Sequence, residues 1–199
     1  MSKVKVPRKS TYVDMTAMTD VAFLLLTFFM LATKFKPDEP VLVDTPSSIS
    51  EIKLPESDIM LITIGKEGQV FFGVDGQPVR AKALIEMGKI YNISFTEQEI
   101  KEFSLVAQFG VPIGSLKQFL AVKGEARTKI VQPGIPSDSA KNELSDWIWQ
   151  TRLANNKVRV AVKGDKDTNY PIVKQVIATL QERKVNRFNF ITSMESANQ

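Results

Sequence analysis

Residues 15–33 read MTAMTDVAFLLLTFFMLAT, and the organisation of the whole chain turns on that stretch. As a helix rising 1.5 Å per residue it reaches about 28 Å, close to the hydrocarbon thickness of a bilayer. A membrane span over 15–34 is therefore expected. Lys3, Lys5, Arg8 and Lys9 precede it with no acid before Asp14, whereas Lys34 and Lys36 beyond it are followed at once by Asp38 and Glu39. Basic flanks are retained on the cytoplasmic side, so residues 1–14 read as a cytoplasmic tail and the chain beyond the span as exported. Two other readings compete. A basic tail before Val21–Ala32 also describes a cleavable signal peptide, and an apolar helix can be the core of a soluble protein. No small-x-small cleavage site precedes Thr33, where Met30, Leu31 and Ala32 stand, which favours an anchor.

Asp20 lies inside this span. An acidic residue within a membrane helix costs about 2.5–3.5 kcal/mol on insertion scales, and so calls for a partner or a purpose. At 100° per residue, Thr16 lies about 40° and Thr27 about 20° from Asp20 around the helix, with Phe23, Leu24 and Leu31 flanking them. The three polar residues form a narrow stripe on an apolar rod. In one reading the threonines bond their own backbone carbonyls and Asp20 snorkels to the cytoplasmic interface. In the other the stripe faces further helices, and Asp20 takes up and releases protons. A proton moved through 100 mV supplies about 2.3 kcal/mol, enough to bias a mechanical cycle. One helix cannot enclose such a path, so a polytopic partner would have to supply the wall.

Composition narrows the chemistry. The 199 residues include no Cys and no His, which excludes a thiol nucleophile, a Ser-His-Asp triad and disulfides, and leaves only oxygen ligands for metals. An enzyme is not expected, nor a cofactor or metal. The formal charge of +4 is confined to residues 1–36, with six basic residues against two acids; the other 163 residues hold 20 of each. A nucleic-acid groove needs its cations clustered in the folded part, so no nucleic-acid partner is expected.

The segment DMTAMTDVAFLLLTFFML, with its short basic tail and the proline-containing segment after it, resembles the membrane helix of the ExbD/TolR family. Thr16, Asp20 and the run Phe23–Phe29 fall on the family's threonine, aspartate and leucine-phenylalanine positions. Asp14 stands where asparagine is usual, and Ala17 where proline is usual. The resemblance implies an inner-membrane motor subunit whose helices, as a dimer, sit in a ring of ExbB/TolQ-like subunits, with Asp20 as the proton carrier. It further implies a TonB-like energy transducer and outer-membrane transport as the output. A TolR-like envelope-integrity subunit that binds cell wall is the alternative within the class; MotB-type stators use related arrangements. A membrane-anchored periplasmic scaffold without proton transfer is the alternative outside it.

Residues 35–58 read as a flexible linker, with four prolines in 37–58. Short pieces at Val41–Val43 and Glu51–Leu54 can add to a sheet edge. The family's leucine-proline element corresponds to Leu54 and Pro55, which the resemblance makes a partner-binding candidate. Residues 59–192 are expected to form a two-layer α+β exported domain, a mixed sheet with helices, and 193–199 a C-terminal tail. IMLITI and VFFGV, punctuated by Gly65 and Gly68, predict a hairpin, and Asp75-Gly76 closes the second strand. Val79, Ala83, Leu84, Met87 and Tyr91 share one helical stripe. KVRVAVKGD and RFNFIT predict half-buried strands around the helix PIVKQVIATLQERK, with Pro171 in its first turn and Ile172, Val173, Val176, Ile177 and Leu180 on its apolar face.

Residues 92–156 read as a helical insertion of three short helices. Thr96 and Glu99 form a capping box before Ile100, Phe103 and Val106; Ser115 is placed to cap Leu116, Phe119 and Leu120; Leu144, Trp147 and Ile148 make a third stripe. Trp147 and Trp149 pack inside the domain or anchor a partner; the residues alone do not separate these.

Overall fold

Two units make up the chain, residues 1–37 and 38–199. This computed structural model describes residues 15–32, 43, 45, 47–48, 57–122, 126–127, 130–138, 141–191 and 193–194. The first unit contains one helix, α1 (Met15–Ala32), with no residue buried. Its length and apolar composition suffice to cross a membrane.

The second unit is α+β. In chain order it runs β1 (Ser47–Ser48), β2 (Ile59–Ile64), β3 (Val70–Val74), α2 (Gln77–Ile90), α3 (Glu97–Leu105), β4 (Gln108–Phe109), α4 (Leu116–Ala121), β5 (Ser137–Asp138), β6 (Lys141–Asn142), α5 (Glu143–Ala154), β7 (Arg159–Gly164), α6 (Tyr170–Glu182), β8 (Phe188–Ile191) and β9 (Ser193–Met194). The main sheet has the order β4-β3-β2-β7-β8. β3 is antiparallel to both β2 and β4, whereas β2, β7 and β8 are mutually parallel, so the sheet is mixed.

The hairpin forms where the glycines predict it. Ile64 pairs with Val70, Gly65 N donates to Gln69 O at 2.9 Å, and Gly68 takes a φ of 87° that other residues rarely adopt. Alternation then sends Met60, Ile62, Ile64, Val70, Phe72, Val160 and Val162 to one face, where they join Leu84, Met87, Leu116, Leu144, Trp147, Val176 and Leu180 in a single core. The opposite face is also covered at its centre, since Thr63, Phe71 and Ala161 are buried. β7 is therefore not the half-buried strand its alternation predicts. It is the fourth of five strands in order, and the small Ala161 at its middle is covered as fully as the valines. Phe190 on the last strand, β8, is 42 % exposed.

Residues 92–156 contribute α3, α4 and α5, and also β4, which extends the sheet beside β3. The capping box is complete: Thr96 Oγ1 accepts from Glu99 N at 3.2 Å, and Glu99 Oε2 accepts from Thr96 N at 2.7 Å. Ser115 behaves differently from expectation. It ends a 3-10 turn, Ile113–Ser115, that runs directly into α4, and its side chain makes no cap bond. Its backbone is already helical, so there is no break for a cap to close. The turn is held from elsewhere, by buried Glu143, whose Oε2 accepts from Ile113 N at 2.8 Å. Ser193–Met194, read as part of a terminal tail, pairs in parallel with Ser47–Ser48 as a separate two-stranded ladder.

Candidate functional site

On α1, Asp20 is the one charged side chain between Met15 and Ala32, and it is exposed. Two of the threonines on this helix direct their hydroxyl protons to their own backbone. Thr27 Oγ1 donates to Leu24 O at 2.9 Å, and Thr19 Oγ1 donates to Met15 O at 2.8 Å. Such bonds satisfy a threonine without a partner helix and leave the oxygen lone pairs able to accept. Thr16 lies one turn before Asp20, so helical geometry brings both to one side; Thr27 reaches the same side two turns later. Thr19 lies outside the stripe, about 100° from Asp20 around the helix. Leu54 and Pro55 lie outside the described residues.

In the α+β unit the described side chains are joined by a core and a polar network. The Trp147 ring is fully buried, stacked on Phe103 at 5.7 Å between centroids and edge-on to Phe109 at 5.0 Å. Packing is thus the role of Trp147. Trp149, two residues on, faces outward at 41 % exposure with the Arg183 guanidinium 5.6 Å above its ring.

Arg183 also ties α5 to the end of α6. Its Nε donates to Ser145 Oγ at 2.5 Å and its Nη2 to Asp146 Oδ1 at 2.8 Å, while Asp146 Oδ2 accepts from Tyr91 Oη at 3.0 Å. Burial, with the neighbouring Asp146 carboxylate adding to it, raises the Tyr91 phenol well above its ordinary value. Arg80, which donates to Val106 O at 2.6 Å, is lowered by burial. Among the described residues no cluster of three or more His, Cys, Asp or Glu is placed to hold a metal ion.

The chain thus joins a spanning-length helix with a single carboxylate to a mixed-sheet α+β unit. The family model for the biopolymer transport protein ExbD/TolR matches residues 7–195. The chain belongs to the ExbD/TolR family. The match spans nearly the whole chain, from the residues before α1 to the end of the α+β unit. No curated protein and no solved structure gives a match. The ExbD/TolR family is one of single-pass inner-membrane transport and energy-transducing subunits that work with ExbB/TolQ-type partners, and the N-terminal apolar helix agrees with that placement.

Proposed function

We propose that this ExbD/TolR protein is the proton-carrying subunit of an inner-membrane motor of the ExbB-ExbD type that energises TonB-dependent outer-membrane transport. The observation that carries the reading is Asp20: one exposed carboxylate on a helix that is otherwise apolar or hydroxyl-bearing and has the length of a bilayer core. Such a group is stable in a membrane only where other helices or water receive it. A ring of ExbB/TolQ-like subunits around a dimer of α1 supplies that environment.

In the mechanism, Asp20 takes a proton from the exported side, and neutralisation allows it to face a dry part of the ring. Release to the cytoplasmic side restores the charge and completes one step. Thr16 and Thr27 line the polar stripe along which the carboxylate turns. Leu54-Pro55, in the linker, is a candidate segment for partner docking. The N-terminal tail stays in the cytoplasm and the α+β unit is periplasmic, where it couples the motion to a TonB-like transducer.

The test is energy-dependent uptake of an outer-membrane substrate such as haem or cobalamin in cells carrying Asp20→Asn, with membrane levels and assembly confirmed. Uptake lost in an assembled complex supports the reading. Uptake at the wild-type rate sinks it in favour of an anchored scaffold.

A further inference from the structure

At the end of the main sheet where β7 and β8 begin, a cleft of about 650 Å³ lies between α5, β7 and the α6–β8 connection. Four cationic side chains line it: Arg152 from α5, Arg159 from the first position of β7, and Lys184 and Arg187 from the connection; Asn186 and Asn189 add their amides. No carboxylate is among the lining residues. The charge is concentrated locally, because residues 37–199 hold equal numbers of acids and bases.

Among the described residues no ion pair neutralises it, and Arg159, Lys184 and Arg187 enter none. Arg152 Nη1 donates to the carbonyl of Arg183 at 2.8 Å, which fixes the guanidinium while keeping its charge. Asp58, whose carbonyl accepts from Arg159 N at 2.9 Å, has its Oδ1 bound by Asn155 Nδ2 at 2.6 Å. Lys184 carries a second sign of a specialised place. It takes the left-handed conformation, φ 57°, in the turn that closes α6, where Val185 N donates to Leu180 O at 2.9 Å. Glycine suits that position best, and a glycine would bring no charge to the cleft.

Clustered cations in a concave site select an anion. A carboxylate offers two oxygens in one plane, which a single guanidinium fork satisfies; a phosphate group, whether a singly charged diester or a more highly charged monoester, offers a tetrahedral set of acceptor oxygens, matching donors that converge from different elements. We propose that the Arg152–Arg159–Lys184–Arg187 cleft binds a phosphate group, presented either by an anionic phospholipid headgroup or by a soluble phosphate compound. This assignment is independent of the role of Asp20.

Calorimetric titration of the full chain in neutral detergent tests it, using inorganic pyrophosphate in one arm and short-chain phosphatidylglycerol in the other, with phosphatidylcholine of equal chain length as control. Saturable binding is expected in at least one arm, weakened about tenfold by Arg187→Ala and by Lys184→Gly, since each removes one charge-assisted contact. Lys184→Gly relieves the left-handed backbone, so it should unfold no earlier than the wild type, and its loss of binding cannot be attributed to a damaged fold. Binding of phosphatidylglycerol alone identifies the headgroup as the source, and binding of pyrophosphate shows that soluble phosphate also enters. Absence of binding in both arms, binding unchanged in both variants, or equal saturable binding of phosphatidylcholine and phosphatidylglycerol with none of pyrophosphate would overturn the proposal.

Discussion

The indole of Trp147 lies 6.0 Å from the ring of Phe72, which joins α5 directly to the hairpin at the centre of the sheet. Residues 92–156 are consequently part of the core, because Phe103, Phe109 and Trp147 form one aromatic group against Phe72. Trp147→Ala should destabilise the α+β unit by about 3–5 kcal/mol, the cost of emptying a large buried aromatic site. Denaturant unfolding of the detergent-solubilised chain, followed by circular dichroism, measures it. A change below about 1 kcal/mol would mean that the helices of 92–156 pack loosely on the sheet.

Gly110 provides a second check on the packing. A Cβ at this position would lie 2.3 Å from the Phe71 ring on the sheet face opposite the Trp147 core. Gly110→Ala should cost about 1–3 kcal/mol through overpacking, although the exchange adds only a methyl group. The same unfolding measurement applies, and an unchanged midpoint would show that the Phe71 side has room to spare.

Tyr91 makes stability depend on alkaline pH. Its folded-state phenol titrates above the unfolded value of about 10, so the folded state holds a proton that the unfolded state releases. The contribution is complete below pH 10 and is lost as pH rises beyond it. Tyr91→Phe should flatten that part of the profile while leaving the Arg183–Asp146 pair in place. An identical alkaline profile in the variant would contradict the account.

Glu99 acts at the other end of the scale. The Thr96 N–H, and secondarily its hydroxyl, hold the Glu99 carboxylate below its ordinary range. That stabilisation is present above the unfolded value of about 4.3 and fades as pH falls through the lower folded one. Glu99→Ala removes the carboxylate that the Thr96 N–H holds, so it should cost stability near neutral pH and cost less at pH 3, read as the shift in unfolding midpoint at each pH. A cost that does not shrink at pH 3 would assign Glu99 another role.

Local signals carried much of this fold. Gly65 and Gly68 announced the hairpin, Thr96-x-x-Glu99 announced the start of α3, and the 3.6-residue stripe of Val176 and Leu180 announced α6, because each depends on residues close in sequence. What depended on distant partners was not readable. The burial of Ala161 follows from a strand on either side of β7, and the support of the α4 turn comes from Glu143, 30 residues beyond Ile113. The two-residue strand β4 is too short for any alternation to show. The same division holds at the sites. Asp20 stood out because a charge in an apolar run is conspicuous by itself. The cationic cleft did not, since Arg152, Arg159, Lys184 and Arg187 are scattered among solvent-facing charges until the sheet and helices gather them.

The most direct test of the central claim compares Asp20→Asn with Asp20→Glu and Thr27→Val in energy-dependent uptake through the outer membrane, each assembled at wild-type level. The account predicts uptake abolished by Asp20→Asn, partly kept by Asp20→Glu, which retains a titratable group, and largely kept by Thr27→Val, whose hydroxyl proton is directed to its own helix. Wild-type uptake in the Asp20→Asn strain would contradict it and leave α1 as an anchor alone.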